Sequence, residues 1–201
     1  MAIIKDYDSY YSKKYYKAQK FPLSHKTHIV NVLENLLIEY SSKDILEVGC
    51  GSGTLMRLLK NIKYNVQGID ISPAAAKLSG AQIAPATKIP FKRESFDCVI
   101  SLSMIEHLYS NEAKQFLHEA FRVLRPGGII FLSTANFSSP LRYLQGKNWY
   151  GYGDKSHVKF YGTTSFKKLL THNNFLNVRT TFKITTTQLD WPTPDTTPIL
   201  L

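Results

Sequence analysis

Cysteine is nearly absent: Cys50 and Cys98 are the only two in 201 residues. Two thiols so placed make neither a disulfide framework nor a zinc knuckle, and the chain reads as cytoplasmic and reduced. Long apolar runs are missing too, and without a stretch of about 18 apolar residues no helix spans a membrane. The opening Met1-Ala2-Ile3-Ile4-Lys5-Asp6 lacks the basic-then-apolar order of a secretory leader. Blocks of like charge are also lacking. Twenty-five Lys+Arg against 15 Asp+Glu leave a net +10, but the basic residues are scattered. That balance favours anionic partners, nucleic acid or phosphate among them, or else reflects a lysine-rich surface with no partner. What is present is ordinary: 43% hydrophobic and 20% charged residues exclude a disordered or collagen-like chain. A chain of this length makes one domain that buries about 70% of its unfolded surface.

Apolar spacing divides the chain. Tyr7, Tyr10, Tyr11, Tyr15 and Tyr16 stand among lysines in the first 26 residues. Tyr11 and Tyr15 lie one helical turn apart, either as an aromatic cap on the core or as a lid over a ligand. Ile29, Val32, Leu33, Leu36, Leu37 and Tyr40 predict an amphipathic helix over 27–40, so residues 1–40 form a helical cap. Asp44–Val48 reads as a strand, Gly49–Gly53 as a turn, and Leu55, Leu58, Leu59 and Ile62 resume a helical stripe. Tyr64–Ile69 is the next strand, and Asp70-Ile71-Ser72-Pro73 opens an alanine-rich helix. Phe96–Leu102 is a strand, Ala113–Leu124 a helix stopped by Arg125-Pro126-Gly127-Gly128, and Ile129–Thr134 a strand. After an insert at 137–162, Thr163–Asn173 is helical and Val178–Ile184 extended; 185–201 is a Pro- and Thr-rich tail or edge strand. Repeated β–α alternation over 41–184 predicts an α/β domain with a mostly parallel, doubly wound sheet.

Ligands of such sheets sit beyond the carboxyl ends of the strands. There Gly49, Gly51 and Gly53 let the backbone approach a ligand closely, and Asp70 ends the second strand 17 residues past Gly53. A carboxylate so placed suits the two hydroxyls of a ribose, so a nucleoside fits the site. The dinucleotide fingerprint fails in both registers, at Thr54 and at Met56, and no Walker loop is present.

The run Glu47-Val48-Gly49-Cys50-Gly51-Ser52-Gly53 resembles motif I of the class I S-adenosylmethionine-dependent methyltransferases. Four further segments match in order: Gly68–Pro73, Ile89-Pro90-Phe91 with Ser95-Phe96-Asp97, Ile105–Leu108, and Arg122–Gly128. The resemblance, nearest to the type 11 and ubiquinone-biosynthesis domains, implies a Rossmann-like methyltransferase fold with S-adenosylmethionine as cofactor. It implies Glu47, Gly49, Gly51 and Asp70 as contacts, Asp70 on the ribose. The expected cofactor set also takes in Cys50, Gly53, Ile71, Ala86, Ser101 and Ser103, with Tyr11 and Tyr15 from the cap. One position departs: Pro85 stands where many members carry the acidic residue that holds the adenine amino group, leaving the Ala86 N–H to serve the ring. The family sheet normally ends in a hairpin pair; Val178–Ile184 supplies one strand and the proline-rich tail is a poor source for the other.

Methyl transfer needs alignment and sometimes a proton acceptor. His107, just after the fourth strand, is the best acceptor by position, unless Glu106 and His107 merely pack the following helix. His157, in Asp154-Lys155-Ser156-His157, resembles an Asp-x-x-His segment of small-molecule and polysaccharide methyltransferases; it faces the acceptor or ties a loop to the sheet edge. Trp149, Tyr150 and Tyr152 either wall a pocket or pack the insert. In the ubiquinone-type enzymes a Glu-x-x-Glu-His group holds a divalent metal; here Ser103 replaces the first glutamate, and no metal is expected. Ser101-Leu102-Ser103-Met104 stands where enzymes acting on base amines carry a Pro-Pro-Tyr motif, and neither cysteine is a good nucleophile. The expected activity is methylation of oxygen, or nitrogen, on a small molecule or saccharide. An RNA or tRNA methyltransferase and a non-catalytic binding protein on the same fold are the alternatives.

Overall fold

The computed structural model describes residues 23–182 and 198–200. Helix α1 (Leu23–Glu39) leads into β1 (Asp44–Val48), α2 (Thr54–Asn61), β2 (Asn65–Asp70), α3 (Pro73–Ser79) and the short β3 (Gln82–Ile83). Then come β4 (Phe96–Leu102), a 3-10 turn at Ile105–His107, α4 (Ser110–Val123) and β5 (Leu124–Ser133). The insert carries α5 (Pro140–Gln145), and α6 (Thr163–Thr171), β6 (Thr180–Phe182) and β7 (Pro198–Leu200) follow. The sheet order is β3-β2-β1-β4-β5-β7-β6, with β3 to β5 parallel and β7 antiparallel to both neighbours. This is the expected Rossmann-like, doubly wound α/β fold. The chain reverses direction across the sheet between β1 and β4, which opens a crevice at their carboxyl ends.

Strand periodicity sorts the core into two layers. Leu46, Val48, Val99, Ile130 and Leu132 face Phe116, Leu117 and Ala120 of α4 and Phe166 and Leu170 of α6. Ile45, Val66, Cys98, Ile100 and Phe131 face Leu33, Leu36 and Leu37 of α1 and Leu55, Met56 and Leu59 of α2. Phe116 is fully buried; truncating such a residue to alanine costs about 3–5 kcal/mol. Below the sheet, Arg125 bridges Asp44 (2.8 Å) and Asp97 (2.6 Å), while Asp97 Oδ2 accepts the N–H groups of Lys43 and Asp44. That cluster locks the amino ends of β1, β4 and β5, opposite the crevice.

Three differences from the sequence reading stand out, beside shifts of a few residues at other element ends. Tyr40 lies outside α1, at the turn that follows. Strand β5 starts at Leu124 instead of Ile129: Leu124 pairs with Phe96, and the register shifts before Cys98 meets Ile129. The residues in between form an irregularity that accommodates Pro126 and Gly127, the latter at φ 80°. Pro198–Leu200 is a strand between β5 and β6, so the tail supplies the hairpin partner that its prolines argued against. Proline is tolerated as the first residue of a strand. The insert is closed at its base, where Asn136 bridges Tyr161 and the Phe137 N–H donates to the Tyr161 carbonyl at 2.9 Å.

Candidate active site

The glycine turn is built for close approach. Gly49, Gly51 and Gly53 all have positive φ (74°, 52° and 70°). At Gly49 a Cβ would also lie 2.6 Å from Met104 Cγ, so both conformation and space demand glycine. The N–H groups of Gly49 and Cys50 donate to the Ile69 carbonyl, at 2.9 and 3.2 Å, fastening the turn to β2. Asp70 completes the fastening: its Oδ2 accepts the Gly51 N–H (2.8 Å) and its Oδ1 the Ser72 N–H (2.9 Å). Burial pushes the Asp70 carboxyl above its ordinary range, and the backbone bonds from Ser72, Gly51 and Ile71 oppose it. Ser72 caps α3 through the Ala75 N–H, with Pro73 in the first turn as its fixed φ favours. Ile71, next to Asp70, is 44% exposed, an apolar side chain at the mouth of the crevice.

Glu47, near the end of β1, is buried, and its Oε2 has no hydrogen-bond partner among the described residues. Burial pushes its carboxyl up to about 8, the Asp70 charge adds to this, and the Met56 backbone and Arg57 work against it. An unpartnered buried carboxyl oxygen is costly, so it marks a place where a polar ligand group belongs. Ser101 is buried and donates its hydroxyl to the Val48 carbonyl (2.9 Å), a tie between β4 and β1 under the turn. Ser103 sits exposed at the end of β4 with φ 48°. Cys50 is buried, its Sγ 3.6 Å from Ser79 Oγ, and burial pushes its thiol up to about 12; burial raises Cys98 as well, so neither supplies a thiolate.

The loop from β3 to β4 is held from behind. Arg122 donates to the carbonyls of Ile89 (2.9 Å) and Phe91 (2.8 Å), and Glu119 pairs with Arg122 while accepting the Ile89 N–H. Two segments quoted separately in the sequence, Ile89-Pro90-Phe91 and Arg122–Gly128, are thus in contact. Ala84 is anchored by its N–H to the Asp70 carbonyl, which brings exposed Pro85 and half-buried Ala86 alongside the end of β2. Tyr11 and Tyr15 lie outside the described residues.

On the other side of the crevice the fold brings His107 and His157 together. Their rings meet edge to face with centroids 4.8 Å apart. The Glu106 carbonyl accepts the N–H groups of both Val158 (2.9 Å) and Lys159 (3.1 Å), which hangs the insert on the 3-10 turn. Glu106 itself is buried; burial raises its carboxyl to about 7, opposed by contacts with Thr134 and Ala135. His107 Nδ1 lies 2.8 Å from Ser156 Oγ, and Ser156 donates to Asp154 Oδ1 through its hydroxyl (2.5 Å) and its N–H (2.8 Å). Burial and the neighbouring His157 press the His107 imidazole down to about 4, against the pull of Asp154, so it is neutral at pH 7. His157 is buried, with Nδ1 2.7 Å from the Gly151 carbonyl.

Aromatic side chains buttress His157. Trp149 is buried against Phe137 and Tyr152, and Phe160 contacts Phe137, Trp149, Tyr152 and His157. A Cβ at Gly151 would collide with the Trp149 ring. The Trp149 ring therefore packs the insert. Sequence reasoning named both histidines but missed Asp154 and Ser156 as partners of His107; the Asp-x-x-His spacing was the available signal.

Residues 46–132 match a family model described as a methyltransferase domain. The chain is 33% identical over 112 residues to a Mycolicibacterium smegmatis protein described as a "probable S-adenosylmethionine-dependent methyltransferase", covering 52% of this chain and 43% of that one. It is 32% identical over 131 residues to the ubiquinone biosynthesis O-methyltransferase of Idiomarina loihiensis, covering 58% and 53%. A solved structure from Archaeoglobus fulgidus, described as an S-adenosylmethionine-dependent methyltransferase, shares the fold with a TM-score of 0.67. Its identity is 18%, over 86% of this chain and 92% of that one. The chain spans about half the length of these curated relatives. No helix among the described residues is long and apolar enough to cross a membrane.

Proposed function

We propose, from the match of residues 46–132 to a family model described as a methyltransferase domain, that this chain is an S-adenosylmethionine-dependent methyltransferase. The observation that carries the reading is the unpartnered buried Oε2 of Glu47 beside the glycine turn that Asp70 holds in place. These residues fit the cofactor. Asp70 has acceptor capacity left after its two backbone bonds, enough for ribose hydroxyls. Glu47 accepts or donates at Oε2, Ile71 offers an apolar face to the adenine, and the Ala86 N–H serves the ring where Pro85 has none. Gly49, Cys50, Gly51 and Gly53 let the main chain lie against the cofactor, and Ser103 stands at the rim. Ser101 supports the turn from beneath, through its bond to Val48.

Bound S-adenosylmethionine supplies a methyl group on a sulfonium sulfur. The chain's task is to align an acceptor with it and to activate the acceptor atom. We assign acceptor activation to His107 and His157, and the acceptor to the small molecules or saccharides that carry a hydroxyl, less favourably an amine. The ubiquinone-biosynthesis relative, named as an O-methyltransferase, supports oxygen as the target. The +10 charge supports a second reading, an RNA acceptor, whose binding would fall steeply with salt.

Thermal unfolding with and without S-adenosylhomocysteine, with NAD as control, tests the cofactor. For a Kd of about 10 μM and about 1 mM ligand, linkage gives about 2.7 kcal/mol, a rise of roughly 5–10 °C. A rise with S-adenosylhomocysteine alone supports the reading; equal melts in all three samples sink it.

A further inference from the structure

We propose that His107, Asp154 and His157 form a binding site for a divalent transition-metal ion. One ligand atom from each of the three lies within 4.8 Å of the others. They come from two segments 47 or more residues apart, and the shared Glu106 carbonyl, bonded to Val158 and Lys159, brings those segments together. The spacing is somewhat wider than the roughly 3.3 Å between ligands of a tetrahedral ion with 2.0–2.1 Å bonds. Binding would draw His107 and Asp154, both half-buried, inward about Ser156, which bonds to each of them.

Hydrogen bonding decides which atoms face the ion. A carbonyl only accepts, so His157 Nδ1, 2.7 Å from the Gly151 oxygen, carries the proton and Nε2 keeps the lone pair. A carboxylate also only accepts, so the Ser156 hydroxyl proton goes to Asp154 Oδ1 and Ser156 Oγ accepts from His107 Nδ1–H. His107 too is left with its lone pair on Nε2. Both imidazoles therefore present Nε2 with Nδ1–H bonded away, the arrangement that orients histidines toward a metal. Asp154 supplies one carboxylate oxygen as the third ligand. Two imidazoles and one carboxylate suit zinc, cobalt, iron or manganese better than the oxygen-seeking magnesium or calcium.

This set differs from the Glu-x-x-Glu-His group considered in the sequence. Glu106 is buried, and Asp154 is near enough for its charge to raise the Glu106 carboxyl; the group beside His107 is instead Asp154 and His157. The ion would lower the pKa of a bound acceptor hydroxyl, a role that rests on the methyltransferase reading; the binding itself does not.

The test uses untagged, chelator-treated protein titrated with Co2+, followed by visible absorption and by thermal unfolding. The expected result is a saturable absorption band at one ion per chain, displaced by Zn2+, with no response to Mg2+. Asp154→Asn and His107→Gln should weaken Co2+ binding more than tenfold, and His157→Gln likewise where it folds. Ser156→Ala, which leaves every ligand in place, should weaken it about tenfold. His172→Ala, at an exposed histidine on another element, should leave it unchanged. No band at millimolar Co2+, or a band that survives Asp154→Asn and His107→Gln, overturns the proposal. S-adenosylhomocysteine is titrated separately: binding it but not Co2+ removes the metal site alone, and binding Co2+ but not S-adenosylhomocysteine removes the methyltransferase reading alone.

Discussion

The Gly51 N–H donates to Asp70 Oδ2 across 2.8 Å, so the glycine turn and the end of β2 share one carboxylate. The Ser72 N–H takes the other oxygen at 2.9 Å. Asp70 thus shapes the turn before any ligand arrives. Asp70→Asn keeps one acceptor but aims an NH2 at one of those N–H groups. It should cost about 1–3 kcal/mol in stability and weaken S-adenosylhomocysteine binding at least about tenfold, or 1.4 kcal/mol. Calorimetric titration with a parallel melt checks both; unchanged affinity would place the ribose elsewhere.

Glu47 makes stability depend on pH. Its folded carboxyl titrates near 8 instead of 4.5, so the folded state keeps a proton that the unfolded chain has released. Its stabilising effect is full below about 4.5 and is lost as pH rises to about 8. Glu106, raised to about 7, acts with the same sign. His107, lowered to about 4, works in the opposite direction below its ordinary 6.5, so the ligand-free protein should lose about 2 kcal/mol between pH 6.5 and pH 8. Glu47→Gln should flatten that fall, and melts at the two pH values in both proteins would show it.

Gly49→Ala meets two penalties, the left-handed backbone at φ 74° and the collision with Met104. Together they should destabilise by roughly 2–4 kcal/mol. Adding Met104→Ala relieves the collision and leaves the backbone cost, so the double variant should recover part of the loss after allowing for the Met104→Ala single variant. Urea unfolding of the three variants separates the two terms.

Arg122→Met would strand the Ile89 and Phe91 carbonyls and the Glu119 carboxylate. The expected loss is about 2 kcal/mol, kept modest because the Arg122 side chain is partly exposed. Amide exchange should quicken in residues 84–91 more than in β4. Uniform quickening would assign Arg122 a global role.

His157 should be the Nδ1–H tautomer, since the Gly151 carbonyl is its partner. Long-range proton–nitrogen correlation spectra of the histidine rings would report it directly. In Ser156→Ala, His107 should lose its Nδ1–H preference while His157 keeps its own.

Much of this architecture is legible in the sequence because it is local. Glu47–Gly53 and Asp70–Pro73 carry their own turn and cap chemistry, and β1 and β4 occur at the stated residues. What is illegible depends on partners far along the chain. Arg125-Pro126-Gly127-Gly128 reads as a helix stop, yet the strand begins before it because Leu124 finds Phe96. Residues 185–201 read as a tail or an edge strand, yet Pro198–Leu200 pairs on both sides, as a strand inside the sheet. His107 and His157 are visible singly; their meeting depends on the hydrogen bonds of one carbonyl, Glu106, which no spacing encodes.

The insert begins after Asn136, just past β5, and ends at Tyr161, just before α6, where its two ends bridge each other. A cassette closed at its neck can lengthen or shorten without moving β5 or α6. Grafting a different stretch between those two anchor points, with the Val158 and Lys159 contacts retained, would let one domain serve acceptors of many sizes while the half built on Glu47 and Asp70 stays as it is.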